Sequence, residues 1–431
     1  MINIVNLLMY YIIEDRTVIN KIHTYFNISF YGFLYLSMSL TVLYILLTLI
    51  VVLFRKNEKE KEFDPENAPF VTIQIPTRNE VVALRCAKRC LDFDYPKHKF
   101  EILIGDDSDD KSVSDKIDEF AAQHTNVQVI RRKENIGFKP GNLNNMLKYS
   151  KGEILVLFDS DFTPETDFLK RIITPFIHDK EVATVQAKWN FNNFDQNMVT
   201  ILASTIVYIF HHVILNFMHI FGTGSLCGSA EAIKKKDLIE LGGWTSGSLT
   251  EDVEYSLRLH KSNKKMVYLP NLECYNDVPY IPMDLYKQQM RWAYGVITSY
   301  KMHFKGIFFN KNLPLKRKMI SLCAGFGYSM PILIVVLFVF GTVSFLTDVP
   351  GPINVATFSL DLGRNVLLTS GLIIVSLFSL YREKKIKYWF KTLLSSFSFG
   401  LVTTYYVNKG IFKSIFGKPM KWYLLNKTTE V

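Results

Sequence analysis

The chain has 431 residues, 48% of them hydrophobic and 14% aromatic, and a slightly positive mean hydropathy beside 21% charged residues. That mixture excludes a uniform character and fits a soluble domain joined to membrane spans. The net charge of +10 does not select nucleic acid as a partner, because the lysines and arginines gather beside apolar segments as positive-inside flanks.

The N-terminal MINIVNLLMYYII is apolar but too short to span a bilayer. Without a basic n-region or a small-residue cleavage site, it does not read as a removable signal peptide. Residues 31–54 are the first stretch long enough to cross about 30 Å of hydrocarbon. Arg55, Lys56, Lys59 and Lys61 come next in RKNEKEKE, which puts the segment after them in the cytosol and the N-terminus outside. Five cysteines, an odd number with no CxxC pair, read as buried free thiols facing a reducing compartment.

From about 68 to 275 strand and helix alternate. VTIQI (71–75), EILIGDD (101–107), VQVIRR (127–132), EILVLFDSD (153–161), VATVQAKW (182–189) and MVYLP (266–270) read as strands in a mostly parallel α/β sheet. Such sheets bind ligands at the carboxyl ends of their strands. Residues 198–221 are apolar enough to cross a membrane, but a crossing would put 153–161 and the segment after 221 on opposite sides. His211, His212 and Asn216 would also be costly in lipid. A long helix packed in the domain or lying at the interface is expected instead.

Beyond 315 the candidate spans are 319–346, 365–381 and 391–408, with the basic YREKKIKYWFK between the last two. Three crossings would put the basic tail (Lys409, Lys413, Lys418, Lys421) outside, against the positive-inside rule, so one of them is not a full crossing.

Chemistry concentrates at a few short motifs. Asp159 and Asp161 end a buried apolar run, and their repulsion calls for a positive charge. A divalent cation, Mg2+ or Mn2+, held with a diphosphate would supply it, whereas an isolated Asp-Ser-Asp is more often a solvated turn. Asp107 ends another strand, where a carboxylate can accept from a ribose hydroxyl or a base N–H. Lys139, in a glycine-interrupted loop, is placed to meet phosphate as a point charge. In SLTEDVEYSLRL, Ser248 and Glu251 have capping-box spacing; Glu251 and Asp252 either complement the helix dipole or provide, in Asp252, a general base. Gln288, Arg291 and Trp292 fall at i, i+3 and i+4 and share one helical face. Arginine can bind a leaving diphosphate, glutamine can orient a hydroxyl, and an indole can stack on a sugar.

In order, PTRNE (76–80), DD (106–107), KPGNLN (139–144), DSD (159–161), QAKWNF (186–191), CGSA (227–230), TED (250–252) and QQMRW (288–292) resemble the membrane-embedded, inverting family 2 glycosyltransferases of the cellulose, hyaluronan and mannan synthase group. The basic tail FGKPMKWYLLNKT (416–428) is similar to theirs. The resemblance implies an α/β GT-A-like, Rossmann-related cytosolic domain inserted between transmembrane helices. The expected layout is an N-terminal segment (1–30), a membrane helix (31–54), the cytosolic domain with interface helices (55–315), a C-terminal membrane region (316–410) and the tail (411–431).

The resemblance also implies a role for each motif. Thr77, Glu80 and Asp107 hold the nucleoside, Lys139 meets the diphosphate, and Asp159 and Asp161 bind nucleotide and metal. Asp252, beside Glu251, deprotonates the acceptor hydroxyl. Gln288 and Arg291 close over the diphosphate and Trp292 over the acceptor, with Cys227 and Gly228 on the acceptor side. Trp189 either lines that side or packs in the core. The implied activity is processive synthesis of a β-linked polysaccharide, a glucan or mannan, moved through the enzyme's own spans in the plasma membrane. UDP-glucose is the first donor expectation and GDP-mannose the second. The alternative is transfer of one sugar to a lipid.

Overall fold

The apolar runs between residues 71 and 276 assemble into one seven-stranded sheet ordered β3-β2-β1-β4-β6-β5-β7. The computed structural model describes residues 2–55, 61–348, 355–356, 359–360, 363–364, 370–421 and 423, with side chains from residue 17 onward except at 323, 324 and 326. The strands are β1 (Val71–Thr77), β2 (Phe100–Asp106), β3 (Val127–Ile130), β4 (Ile154–Leu157), β5 (Val182–Phe191), β6 (Glu231–Lys234) and β7 (Lys265–Asn276). Four neighbouring pairs are parallel, as expected, and β6 alone runs antiparallel between β4 and β5. β1, β2, β4 and β5 are buried along their whole lengths; β4 reads as a continuous apolar run, whereas β1 and β5 alternate with polar residues such as Gln74 and Gln186 that are buried as well. β4 stops at Leu157, so the aspartates expected at the end of a strand over 153–161 lie in the turn after it.

The ends of β1, β2 and β4 lie side by side. Thr77 pairs with Asp106, the Asp107 amide donates to the Thr77 carbonyl, and the Phe158 amide donates to the Gln74 carbonyl. The motif residues after each strand are thereby delivered to one edge of the sheet.

Two compact units are formed, Met1–Thr48 with Phe326–Val375, and Leu49–Gly325 with Ser376–Val431. In the first, helix α1 (Ile2–Phe54) begins well before the expected boundary at residue 31. Phe26 and Phe33 of α1 pack on Phe340, and His23 Nδ1 lies 3.0 Å from the Ser344 carbonyl oxygen, both partners belonging to the helix Ser329–Thr347.

The second unit holds the sheet. Its flanking helices include α2 (Ala83–Leu91), α3 (Lys111–Ala122), α4 (Phe138–Leu147) and α5 (Phe168–His178). The apolar stretch after β5 forms α6 (Met198–Ile209), a π-helical segment Phe210–Leu215 and α7 (Asn216–Ile220). It is long and apolar enough to cross a membrane, but 78% of it is buried inside the protein. Several of its polar groups find partners there: Asn216 donates to the His211 and His212 carbonyls, and His212 Nε2 lies 2.5 Å from Glu383. A buried polar group without such a partner would be heavily penalised.

Helices α8 (Lys235–Glu240), α9 (Glu251–Lys261), α10 (Pro282–Phe308), α11 (Leu315–Phe326), α12 (Ser329–Thr347), α13 (Gly371–Arg382) and α14 (Trp389–Ile415) complete the order. The stretch expected as a span over 319–346 is thus two helices, α11 and α12. Of the stretch 365–381, residues 365–369 lie outside the described residues, as do Lys56 and Lys59 of the first basic flank. Residues 391–408 fall within α14, which packs against α10 and α6 in the second unit. Lys188 on β5 binds Glu273 at 2.7 Å and Glu383 at 2.6 Å, tying the end of α13 to the sheet.

Candidate active site

Three distant segments meet on Lys139, in the first turn of α4. Its ammonium is buried and lies 2.7 Å from Asp159 Oδ1, 2.9 Å from Glu251 Oε1 and 2.6 Å from the Gly228 carbonyl oxygen. Burial would lower its pKa, but the charges of Asp159 and Glu251 outweigh that and hold it above the ordinary lysine value. A protein cation therefore already balances one of the two aspartates.

The rest of the DSD turn is fixed by its neighbours. The Asp159 amide donates to Ser229 Oγ at 2.8 Å, and Ser160 donates to the Glu80 carboxylate. Arg85 donates to the Asp161 carbonyl at 3.3 Å, and the Thr77 hydroxyl to the Glu80 carbonyl at 3.2 Å. Thr77, Glu80, Asp159 and Asp161 are thus brought together, with Asp161 only 8% exposed.

Asp107, expected to hold the nucleoside, is met by an arginine. Arg132 grips both its oxygens, at 2.8 and 2.5 Å, and also donates to Asn135, Ile136 and Phe138. This bidentate pair orients the carboxylate and braces the loop leading to Lys139. Arg132 carried no signal in the sequence beyond one of two adjacent arginines.

The TED motif differs from its expected cap. The helix begins at Glu251 with Thr250 at the N-cap position, so Ser248 lies too early to cap it, and Glu251 turns to Lys139 instead of back to the chain. Asp252 is next along. Burial first, then the charge of Glu251, raises its pKa to about 7, while Lys139 pulls the other way.

Gly228 faces this pair with φ +88°. A Cβ there would lie 3.5 Å from both Asp252 Oδ2 and Lys139 Nζ, in a conformation that side-chain-bearing residues avoid. Around it, Gln186 Oε1 accepts from the Cys227 amide at 2.8 Å, and Glu231 Oε2 from the Gly228 amide at 2.9 Å. Trp189 Nε1 donates to the Ser229 carbonyl at 3.0 Å. Trp189 is 8% exposed, with its ring against Phe162 and His211, so its indole braces this turn from within the core.

On α10, Arg291 donates to the Leu249 carbonyl at 3.0 Å, just ahead of the TED helix. Thr250 Oγ1 meets Ser299 at 3.5 Å, and His303 lies 2.8 Å from Glu254, so α10 is laid along α9. Gln288 and Trp292 are partly buried on the same helix, and Trp292, like Cys227, packs on the main core.

Among the described residues no three His, Cys, Asp or Glu side chains group into a self-contained metal site. Asp159 and Asp161 are nevertheless hard oxygen donors on one turn, and they fit a Mg2+ or Mn2+ whose remaining ligands come from phosphate and water.

The chain is 28% identical over 296 residues to glucomannan 4-beta-mannosyltransferase 2 of Arabidopsis thaliana, an alignment taking in 64% of this chain and 55% of that protein. The chain spans about half the length of the curated relatives it matches. Among solved structures it resembles a mannosyltransferase from Pyrobaculum calidifontis in complex with GDP-Man and Mn2+, with a TM-score of 0.61 and 16% identity over 93% of this chain and 100% of that one. That likeness is one of fold, and with the mixed sheet it makes the architecture GT-A-like. The family model described as glycosyltransferase like family 2 matches residues 68–295, which hold every strand of the sheet, the TED helix and the first half of the QxxRW helix. By that match, over more than half its length, the chain belongs to the glycosyltransferase-like family 2.

Proposed function

We propose that this chain is an inverting, nucleotide-sugar-dependent hexosyltransferase that extends a β-linked polysaccharide, with GDP-mannose as its donor. The observation that carries the reading is Asp252: a carboxylate raised to about 7 beside the Lys139, Asp159 and Glu251 cluster at the carboxyl edge of the sheet. Such a group is partly ionised at neutral pH and strong enough as a base to take a hydroxyl proton.

In the step, Asp252 accepts the proton of the acceptor hydroxyl while that oxygen attacks the anomeric carbon. The bond from that carbon to the diphosphate breaks on the opposite face, inverting the centre. Lys139 and Arg291 offer positive charge to the departing diphosphate. Asp159 and Asp161 would hold a divalent cation, which when bound adds Lewis-acid stabilisation of that leaving group. Thr77, Glu80 and the Arg132-braced Asp107 lie where the nucleoside end is expected. Gln288 stands with Arg291 at the diphosphate, and Trp292, Cys227 and Gly228 serve the acceptor side.

The donor preference reverses the first expectation of UDP-glucose. The curated relatives carry mannosyltransferase names, and the neighbour of like fold was solved with GDP-Man and Mn2+.

Among the described residues three helices are long and apolar enough to cross a membrane, Thr17–Phe54, Met198–Ile220 and Ser329–Thr347, and the second is buried in the protein. With α1, α12 and the apolar stretch ending in α13 as crossings, α14 and the basic tail return to the cytosolic side. That removes the conflict with the positive-inside rule.

Purified protein in detergent, given radiolabelled GDP-mannose, UDP-glucose and UDP-N-acetylglucosamine in parallel with Mn2+, tests the reading. High-molecular-weight label from GDP-mannose, abolished by excess EDTA, is expected. Label confined to a lipid-extractable product would replace the polymerase with a glycolipid transferase, and turnover of UDP-glucose alone would overturn the donor.

A further inference from the structure

Glu231, the first residue of β6, takes no part in that transfer step. It is fully buried, and its Oε2 accepts the Gly228 amide at 2.9 Å and the Cys227 amide at 3.3 Å. Its Oε1 is also buried and has no hydrogen-bond partner among the described residues. The turn that Glu231 holds touches three charged groups of the site, Lys139, Asp159 and Asp252. Its Gly228 carbonyl receives Lys139 at 2.6 Å, and its Ser229 hydroxyl receives the Asp159 amide at 2.8 Å. The Gly228 backbone lies against Asp252, with room of only 3.5 Å for an added Cβ. Gln186 and Trp189 hold the other side of the turn, both donating to the Ser229 carbonyl at 3.0 Å.

We propose that Glu231 is a positioning residue for the transfer step, fixing through the Cys227 and Gly228 amides the turn on which Lys139, Asp159 and Asp252 are seated. The proposal rests on the reading of Asp252 as the base.

Accepting two amides needs only an oxygen, which a glutamine would also provide, so the acid itself calls for an account. The groups that face it are Asp252, Glu251 and Tyr255 on α9, Lys139 on α4 and the Cys227 thiol of its own turn. Burial and then the charge of Asp252 raise its pKa to about 8. At pH 7 Glu231 is therefore a neutral acid, with its proton on Oε1 because Oε2 is already accepting. In that form it adds no negative charge where the donor diphosphate binds. Above about pH 8 it ionises beside Asp252 and opposes donor binding, so kcat/KM declines on the alkaline side.

The test uses the full chain in detergent, Mn2+ and whichever of the three donors it turns over. Nucleotide release is followed from about pH 6 to pH 9.5, with donor affinity measured separately. Glu231→Gln resembles the neutral acid and keeps the acceptor oxygen. It is expected to lower kcat/KM about threefold at pH 7 and to abolish the alkaline decline. Glu231→Ala removes the acceptor and is expected to lower kcat at least about thirtyfold while donor affinity stays within about threefold. An alkaline decline that persists in Glu231→Gln, or a wild-type kcat in Glu231→Ala, overturns the proposal. If the alanine variant does not fold, as judged by its melting transition, the pH profile of the glutamine variant decides. A dead Asp252→Asn beside a fully active Glu231→Ala sinks the role of Glu231 alone, whereas an active Asp252→Asn removes the base and this proposal with it.

Discussion

Lys139 holds two carboxylates and a carbonyl at once, so replacing it removes more than one contact. Lys139→Met would leave Glu251 buried at 4% side-chain exposure with its charge uncompensated. Breaking a buried pair costs about 3–5 kcal/mol, and the low end applies because Asp159 is a third exposed. A melting temperature lowered accordingly, with donor affinity lost as well, is the expected result. A variant of wild-type stability would show that the two acids relax into solvent.

Asp252 behaves in the opposite sense. Its folded-state pKa of about 7 lies above the ordinary 3.8, so the folded form prefers the proton. Its contribution to stability is greatest below pH 4 and declines as pH rises through about 7. Asp252→Asn, which cannot ionise, should raise the melting temperature at pH 8 while abolishing transfer and leaving donor binding largely intact. The acid limb of kcat/KM in the wild-type enzyme should fall near pH 7. Substantial residual transfer by the asparagine variant would remove Asp252 as the base.

At the scale of elements, the site depends on how closely α14 stacks on α10. α14 meets the backbone of α10 at Gly410, where an added Cβ would lie 2.3 Å from the Met290 carbonyl oxygen. Backbone cannot yield as a flexible side chain can, so Gly410→Ala must push the helices apart, at a cost of about 1–3 kcal/mol. Gly400 on the same helix is the control: its nearest neighbours are 3.7–3.9 Å away, in ordinary contact. Gly400→Ala should be neutral or stabilising by up to about 1 kcal/mol through helix propensity. Since α10 carries Arg291 and Trp292, Gly410→Ala should also slow transfer, and thermal melting with nucleotide release reads both effects. Equal behaviour of the two variants would show that α14 does not set the position of α10.

For the whole molecule, the placement of the chain across the membrane depends on which apolar helices are covered by protein. The Met198–Ile220 helix is 78% buried, against 39% for Thr17–Phe54 and 17% for Ser329–Thr347. The first is enclosed, and the other two leave apolar surface for lipid. With the apolar stretch ending in α13 as a second crossing after the sheet, beside Ser329–Thr347, the tail should lie on the same side as the sheet. A cysteine introduced at Lys418, an exposed position, should react with an impermeant maleimide only in inside-out vesicles. Labelling in right-side-out vesicles would restore α14 as a crossing.

The chain's own residues determined most of the strand pattern, the mostly parallel sheet and the motif order, because apolar runs and strand-end acids are local signals. They also marked Met198–Ile220 as costly to place in lipid, since it carries histidines and an asparagine. β6 escaped notice because EAIK is four residues long and its burial comes from neighbours far away in sequence. The same holds for the chemistry. That Asp107 is gripped by Arg132, that Lys139 rather than solvent balances Asp159, and that Asp252 titrates near neutrality were decided only when separate segments closed on one another. Charge and burial act through space, and in a parallel sheet with crossover helices the residues that meet at one edge are those the chain keeps furthest apart.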